Sequence, residues 1–298
     1  MVSCRSIHKS YGTLEALHDI SFDVSRGEIF GIIGPDGAGK TTLFRILTSL
    51  MLADKGTATV EGFDVLTDYR SIRQIIGYMP GKFSLYPDLT VEENIRFFAA
   101  VYETTLEENY DLVKEIYSHI EPFKKRRAAK LSGGMKQKLA LSCALIHEPK
   151  VLFLDEPTTG VDPVSRREFW DMLKGLQKRG ITILVSTPYM DEAALCDRIA
   201  LIQQGRFLSI DTPRGIIDRY PHPLWSVRAT RRSTLLNDLR THPGIGSAYA
   251  FGDSQHVSVT DTALKPLQLA TWLQEKGYQE VEVLPIEAGI EDCFLELS

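Results

Sequence analysis

Gly34-Pro35-Asp36-Gly37-Ala38-Gly39-Lys40-Thr41 matches the pattern GxxxxGK[ST]. Its setting decides the fold. Ile29-Phe30-Gly31-Ile32-Ile33 precedes it, a short apolar run suited to a strand buried on both faces, and residues 41–50 follow at helical spacing. The glycines let backbone N–H groups curl around phosphate oxygens without Cβ clashes. Lys40 offers a point charge to the β- and γ-phosphates, and the Thr41 hydroxyl offers a ligand to Mg²⁺. The loop opens a helix, so the positive end of the helix dipole faces the same phosphates. A chance glycine-rich turn would lack this strand–loop–helix setting.

Further along, residues 151–154 and 181–185 are two more buried-strand candidates, separated by helical patterns such as residues 166–178. That alternation predicts a parallel sheet with helices on both faces. Residues 198–203, Gln204-Gly205 and 206–209 read as a hairpin closing this core. Residues 89–130 are helical, charged and poor in strand signals, within a helical insertion placed at about 83–148. After Tyr220, Pro221-His222-Pro223 marks a boundary. Beyond it the order strand, helix, strand, strand, helix, strand fits a ferredoxin-like α+β domain, and Ile290, Phe294 and Leu297 suggest a final amphipathic helix. The expected division is 1–218 and 219–298.

The second chemical cluster is Val151-Leu152-Phe153-Leu154-Asp155-Glu156, an apolar strand ending in two acids. Asp155 would hold Mg²⁺, directly or through water, and Glu156 would orient or activate an attacking water. A carboxylate pair at a strand end is more often a solvated loop, but the phosphate loop upstream reverses that expectation.

Bulk properties narrow the rest. The 298 residues are 43% hydrophobic and 24% charged, with net charge −5, so nothing favours a nucleic-acid or anionic-membrane footprint across the whole surface. Cys4, Cys143, Cys196 and Cys293 are far apart and read as reduced thiols, not a zinc site. The N-terminus has no apolar h-region, so no signal peptide is expected. No stretch approaches the ~20 apolar residues that span a bilayer. The seven histidines show no triad spacing.

Leu131-Ser132-Gly133-Gly134-Met135, at its distance before the acid pair, makes the chain resemble the ATP-binding cassette (ABC) family over about residues 1–215. The resemblance implies an α/β P-loop NTPase cassette with a helical subdomain, binding Mg²⁺ and ATP through residues 34–41, Thr42 and Asp155, with Glu156 as catalytic residue. In that family the Leu131–Met135 motif grips the γ-phosphate of ATP held by an opposite subunit; a hydroxyl, two amides and a helix N-terminus suit that task. Tyr11 sits where the family stacks an aromatic on adenine, and Gly160-Val161-Asp162-Pro163 matches its D-loop, where Asp162 would help couple two sites. Residues 131–138, together with the ending Ile290-Glu291-Asp292-Cys293-Phe294-Leu295-Glu296-Leu297, further resemble the multidrug or antibiotic exporter group that works with ABC-2-type permeases. The implied partners are a separate membrane permease and a second ATPase subunit, same or different, with no nucleic acid. The implied location is the inner face of the cell membrane, reached through the permease. A non-transport ABC ATPase and a weak regulatory subunit remain the alternatives.

Two positions depart from the family. After Gly77-Tyr78-Met79-Pro80 a glutamine is replaced by Gly81; after Ile183-Leu184-Val185-Ser186-Thr187 a histidine is replaced by Pro188. Proline offers neither a side-chain donor nor an N–H. Either Lys82, Thr187 or Tyr189 compensates, or the site on this chain is slow and depends on a more complete partner.

Overall fold

The computed structural model describes residues 1–298, apart from the side chain of Arg232. The chain divides into two compact units, Met1–Pro213 and Arg214–Ser298. The first unit contains, in chain order, β1 Val2–Tyr11, β2 Leu14–Val24, β3 Ile29–Ile33, α1 Lys40–Leu47, β4 Lys55–Val60, β5 Phe63–Asp64, α2 Tyr69–Ile75 and β6 Ile76–Met79. The helices α3 Val91–Val101, α4 Tyr110–Tyr117 and α5 Gly133–Leu145 follow. Then come β7 Val151–Asp155, α6 Pro163–Lys178, β8 Thr182–Thr187, β9 Arg198–Gln203 and β10 Arg206–Asp211.

Six strands form one sheet in the order β10-β9-β3-β8-β7-β6, parallel except for β10. β3 and β7 are buried at every position, as their unbroken apolar runs require once both faces are covered. β9 and β10 form the expected hairpin. Gln204 (φ 47°) and Gly205 (φ 74°) make its two-residue turn with both φ angles positive, which matches the twist of the flanking strands.

The covering of this sheet differs from expectation. One face packs not on helices alone but on α1 and a second, antiparallel sheet, β2-β1-β4-β5. A single core joins Val2, Ile7, Ile20 and Phe22 of that sheet to Phe30 and Phe153 of the parallel one, with Leu43 and Phe44 of α1 between. Phe22 stacks on Phe30 with ring centroids 5.3 Å apart, and Phe44 meets Phe153 edge-on at 5.7 Å. The helical insertion begins at α3, whose Thr90–Glu93 capping box satisfies two orphan N–H groups.

The second unit starts near α7 Pro213–Ile217, followed by β11 Leu224–Arg228, α8 Arg232–Arg240, β12 Ile245–Phe251, β13 Ser254–Val259, α9 Pro266–Glu275, β14 Glu282–Ile286 and α10 Ile290–Leu297. Its antiparallel sheet has the order β12-β13-β11-β14. Val227, Val257 and Val259 of that sheet share a core with Leu235 and Leu239 of α8 and with Leu269 and Leu273 of α9. The βαββαβ order therefore folds as the ferredoxin-like arrangement.

His147, just after α5, ties the insertion to the core: its ring stacks on Tyr102 with centroids 3.7 Å apart, and its Nε2 lies 2.9 Å from Ile76 O. A proton on Nε2 leaves Nδ1 as a buried acceptor without a partner, so the ring is held neutral, and burial lowers its pKa from the ordinary 6.5. The unfolded chain then binds this proton more readily, so the linked stability is present above about pH 6.5 and is lost as pH falls below it. Melting temperatures followed from neutral pH into acid should fall less steeply for His147→Gln than for the wild type.

Candidate functional site

The phosphate loop lies where β3 ends. Gly34 N donates to Thr187 O at 3.2 Å, and a Cβ on residue 34 would come within 2.1 Å of Ile202 O, so only glycine fits. At Gly39 the backbone turns into the helix with φ 104°, a conformation that L side chains rarely adopt. Ala38 O accepts from Gly205 N at 3.0 Å, which fixes the loop against the β9–β10 turn. Residues 35–37 remain exposed at the rim. The first N–H groups of α1 have no intrahelical acceptor and lie in the first turn, at Lys40, Thr41 and Thr42.

Lys40 is buried. Its Nζ donates to Gly34 O at 2.8 Å and Pro35 O at 2.9 Å and lies 3.1 Å from Glu156 Oε1. The Thr41 hydroxyl donates to Asp155 Oδ2 at 2.8 Å. Asp155 is buried at the end of β7, and its second oxygen, Oδ1, accepts from Ser186 Oγ at 2.6 Å. Burial first, then the Asp155 charge, pushes the Tyr78 phenol up to about 12, so Tyr78 stays neutral. Glu156 N donates to Ser186 O at 3.0 Å and to Ser186 Oγ at 3.1 Å, with φ at residue 156 of 50°.

These residues fit Mg·ATP. Thr41 Oγ1 and Asp155 Oδ2 are hard oxygen donors already within 2.8 Å of each other. Mg²⁺ is commonly held by one or two protein oxygens together with phosphates and water. Tyr11 is exposed, and its hydroxyl lies 3.5 Å from Thr42 Oγ1 and 3.0 Å from Met51 Sδ, at the edge of the same loop.

The signature residues form a separate surface. Ser132 caps α5, its Oγ accepting from Met135 N at 3.4 Å, while Leu131 is buried and Ser132 and Gly133 are exposed. A Cβ on Gly134 would stand 3.0 Å from Ser165 Oγ; one on Gly133 would meet only Gly160 O, at 3.4 Å. The loop is thus backed by residues 160–165. There Asp162 caps α6, and hydrogen bonds from the Ser165 N–H and hydroxyl hold its carboxyl below the usual range. Among the described residues, no hydrogen bond or ion pair joins residues 131–135 to residues 34–42.

Of the two departing positions, residue 81 borders Asp155. A side chain on residue 81 would begin 3.1 Å from Asp155 O and 3.8 Å from its Oδ2. Pro188 follows β8 directly. Of the three neighbours, Thr187 is buried with its Oγ1 accepting from Tyr189 N at 3.1 Å, and the Tyr189 ring carries the Arg166 guanidinium at 4.0 Å. Lys82 is exposed. Sequence reasoning gave no role to Ser186, nor to Thr158 and Glu192, whose buried side chains bond to each other at 2.7 Å.

A family model described as ABC transporter matches residues 17–159. "Probable multidrug ABC transporter ATP-binding protein YbhF" of Escherichia coli (strain K12) is 42% identical over 216 residues, 72% of this chain but only 37% of that protein's length. "Nod factor export ATP-binding protein I" of Burkholderia lata is 39% identical over 306 residues, covering 100% of this chain and 96% of the relative. Among solved structures, the dimeric post-hydrolysis state of the ATP-binding cassette MJ0796 bound to ADP and Pi is similar with a TM-score of 0.65 and 26% identity, covering 71% of this chain and 98% of that one.

Removing the Lys40 ammonium should weaken ATP binding by about 10-fold or more, the scale of a lost charge-assisted hydrogen bond. A fluorescent-ATP titration of Lys40→Ala checks this; an unchanged affinity would mean that the loop does not hold phosphate.

Proposed function

Because the chain belongs to the ABC transporter family of ATP-binding proteins, a family of ATPases, we propose that it is the ATP-binding subunit of an exporter and that it powers a separate membrane permease. The observation that carries this reading is the meeting of Thr41 with Asp155 at 2.8 Å and of Lys40 with Glu156 at 3.1 Å. Phosphate charge, metal and attacking water then share one small region. In this reading Lys40 and the N–H groups at the start of α1 hold the phosphates, and Thr41 and Asp155 hold Mg²⁺. Mg²⁺ supplies neutralisation of the charge developing on the transferred phosphoryl group. Glu156 orients the attacking water. Ser132, Gly133 and Gly134 face a nucleotide on a second ATPase subunit, in a head-to-tail pair.

Export is favoured by relatives named for multidrug transport and Nod factor export. No helix among the described residues is long and apolar enough to cross a membrane. A cavity of about 300 Å³ beside the helical insertion, lined by Tyr78, Pro80, Leu85, Phe98, Tyr102 and His147, offers that permease a foothold next to position 81. The chain would then sit at the inner face of the membrane. Residues 219–298 would be an accessory domain that regulates or stabilises assembly and is dispensable for nucleotide binding.

Gly81 and Pro188 favour an asymmetric pair. This chain's own acids and phosphate loop are intact, but two positioning groups beside them are absent, and phosphoryl transfer is mostly positioning and charge stabilisation. The signature residues offered to a partner are complete. Phosphate release should be slow for the lone chain and rise when a complete second ATPase subunit is added. In that mixture Glu156→Gln should cost little. Gly133→Asp should cost about 100-fold, since it sets a carboxylate against the partner's γ-phosphate in a closed site. A Cβ at position 133 meets only Gly160 O, at 3.4 Å, and a circular-dichroism melt of Gly133→Asp separates loss of folding from loss of turnover. A lone chain that already turns over at the rate of a complete ABC ATPase, and loses it with Glu156→Gln, would overturn the asymmetric reading.

A further inference from the structure

We infer that Ser186 is a positioning residue for the acid pair: its single hydroxyl sets which Asp155 oxygen is offered to Mg²⁺ and holds the backbone that aims Glu156. The inference rests on the Mg·ATP reading above. Ser186 is fully buried, and the parallel register of β7 and β8 pairs it with Asp155. Its Oγ lies 2.6 Å from the Asp155 carboxylate at Oδ1 and 3.1 Å from the backbone N of Glu156.

The proton count leaves one arrangement. A backbone N–H can only donate, so toward Glu156 the hydroxyl accepts, and its one proton goes to Asp155 Oδ1. The two Asp155 oxygens are therefore divided: Oδ1 is engaged inward by Ser186, and Oδ2 faces Thr41, the other candidate metal ligand. Without the hydroxyl, Oδ1 would be a buried charged oxygen short of a donor, and the carboxylate could rotate to share Oδ2. At Glu156 the backbone has φ 50°, a left-handed conformation that a long L side chain keeps only when its surroundings hold it. Ser186 supplies that hold twice, through its carbonyl and its hydroxyl. A residue that orients a metal-binding carboxylate from behind typically changes metal affinity by about 10–100-fold when removed.

The test uses the full chain and two binding readouts besides turnover. Fluorescent-ATP affinity is measured in EDTA and again with Mg²⁺, and Mn²⁺ binding in the presence of a non-hydrolysable ATP analogue is followed by electron paramagnetic resonance. Ser186→Ala should leave the affinity in EDTA unchanged, lose most of the gain that Mg²⁺ confers, and raise the Mn²⁺ Kd about 10-fold or more. Ser186→Cys, which nearly keeps the volume but donates weakly, should behave like Ser186→Ala. Ser186→Thr, which keeps the hydroxyl, should retain most of the Mn²⁺ affinity. Wild-type Mn²⁺ affinity in Ser186→Ala would overturn the inference; so would a wild-type-like Ser186→Cys beside a defective Ser186→Ala, since volume and not the proton would then matter. A wild-type chain that binds no nucleotide would instead sink the Mg·ATP reading itself.

Discussion

A carboxylate buried at the end of a fully buried strand is the constraint on which the rest of this site depends. Asp155 has no solvent to satisfy it, and an ionised group left without partners inside a protein is strongly unfavourable. Two hydroxyls meet the demand, Thr41 from the first turn of α1 and Ser186 from β8. The hydrogen bonds that make the buried charge tolerable therefore also pin the phosphate loop and the neighbouring strand to β7. The geometry of the proposed Mg²⁺ site and the satisfaction of the buried carboxylate come from the same two contacts.

Register carries that constraint across the sheet. Asp155 pairs with Ser186, and Ile33, the residue before the phosphate loop, pairs with Thr187. The C-terminal ends of β3, β7 and β8 thus finish side by side, the edge at which open parallel sheets place their ligands. A one-residue slip would turn Ser186 to the opposite face and strand Asp155 without its inner donor. Every position of β3, β7 and β8 is buried, so such a slip would also force both faces of the sheet to repack.

What could be read from the sequence was what is local in it. Residues 34–41 carry their meaning in eight consecutive positions, and the hairpin at Gln204-Gly205 and the succession of strands and helices in the second unit follow from short-range periodicity and turn chemistry. The antiparallel sheet was largely missed for a physical reason. β1 and β2 pair with repeated register shifts, and Ser6 (φ 48°) and Asp19 (φ 52°) break the backbone, so the alternation that announces a half-buried strand is interrupted. Ser186 was illegible for another reason. Its partners lie 31 and 30 residues away along the chain, and only the register of two parallel strands brings them together.

The same distinction explains how Gly81 and Pro188 can coexist with an intact acid pair. Neither position supplies a hydrogen bond that Asp155 or Lys40 needs: those are met by Thr41, Ser186, Gly34, Pro35 and Glu156. Glycine at 81 also relieves a close approach, because any Cβ there would press on Asp155 O at 3.1 Å. Beyond Pro188 the chain is held by the Thr187 hydroxyl on Tyr189 N and by Arg166 over the Tyr189 ring, so the strand end keeps its place although proline has no N–H. The contacts of Asp155 and Lys40, the groups proposed to bind Mg·ATP, therefore stay complete with glycine at 81 and proline at 188. In the asymmetric reading proposed above, binding and turnover are separable: binding rests on contacts that the core needs for its own stability, and turnover on positions that the core can do without.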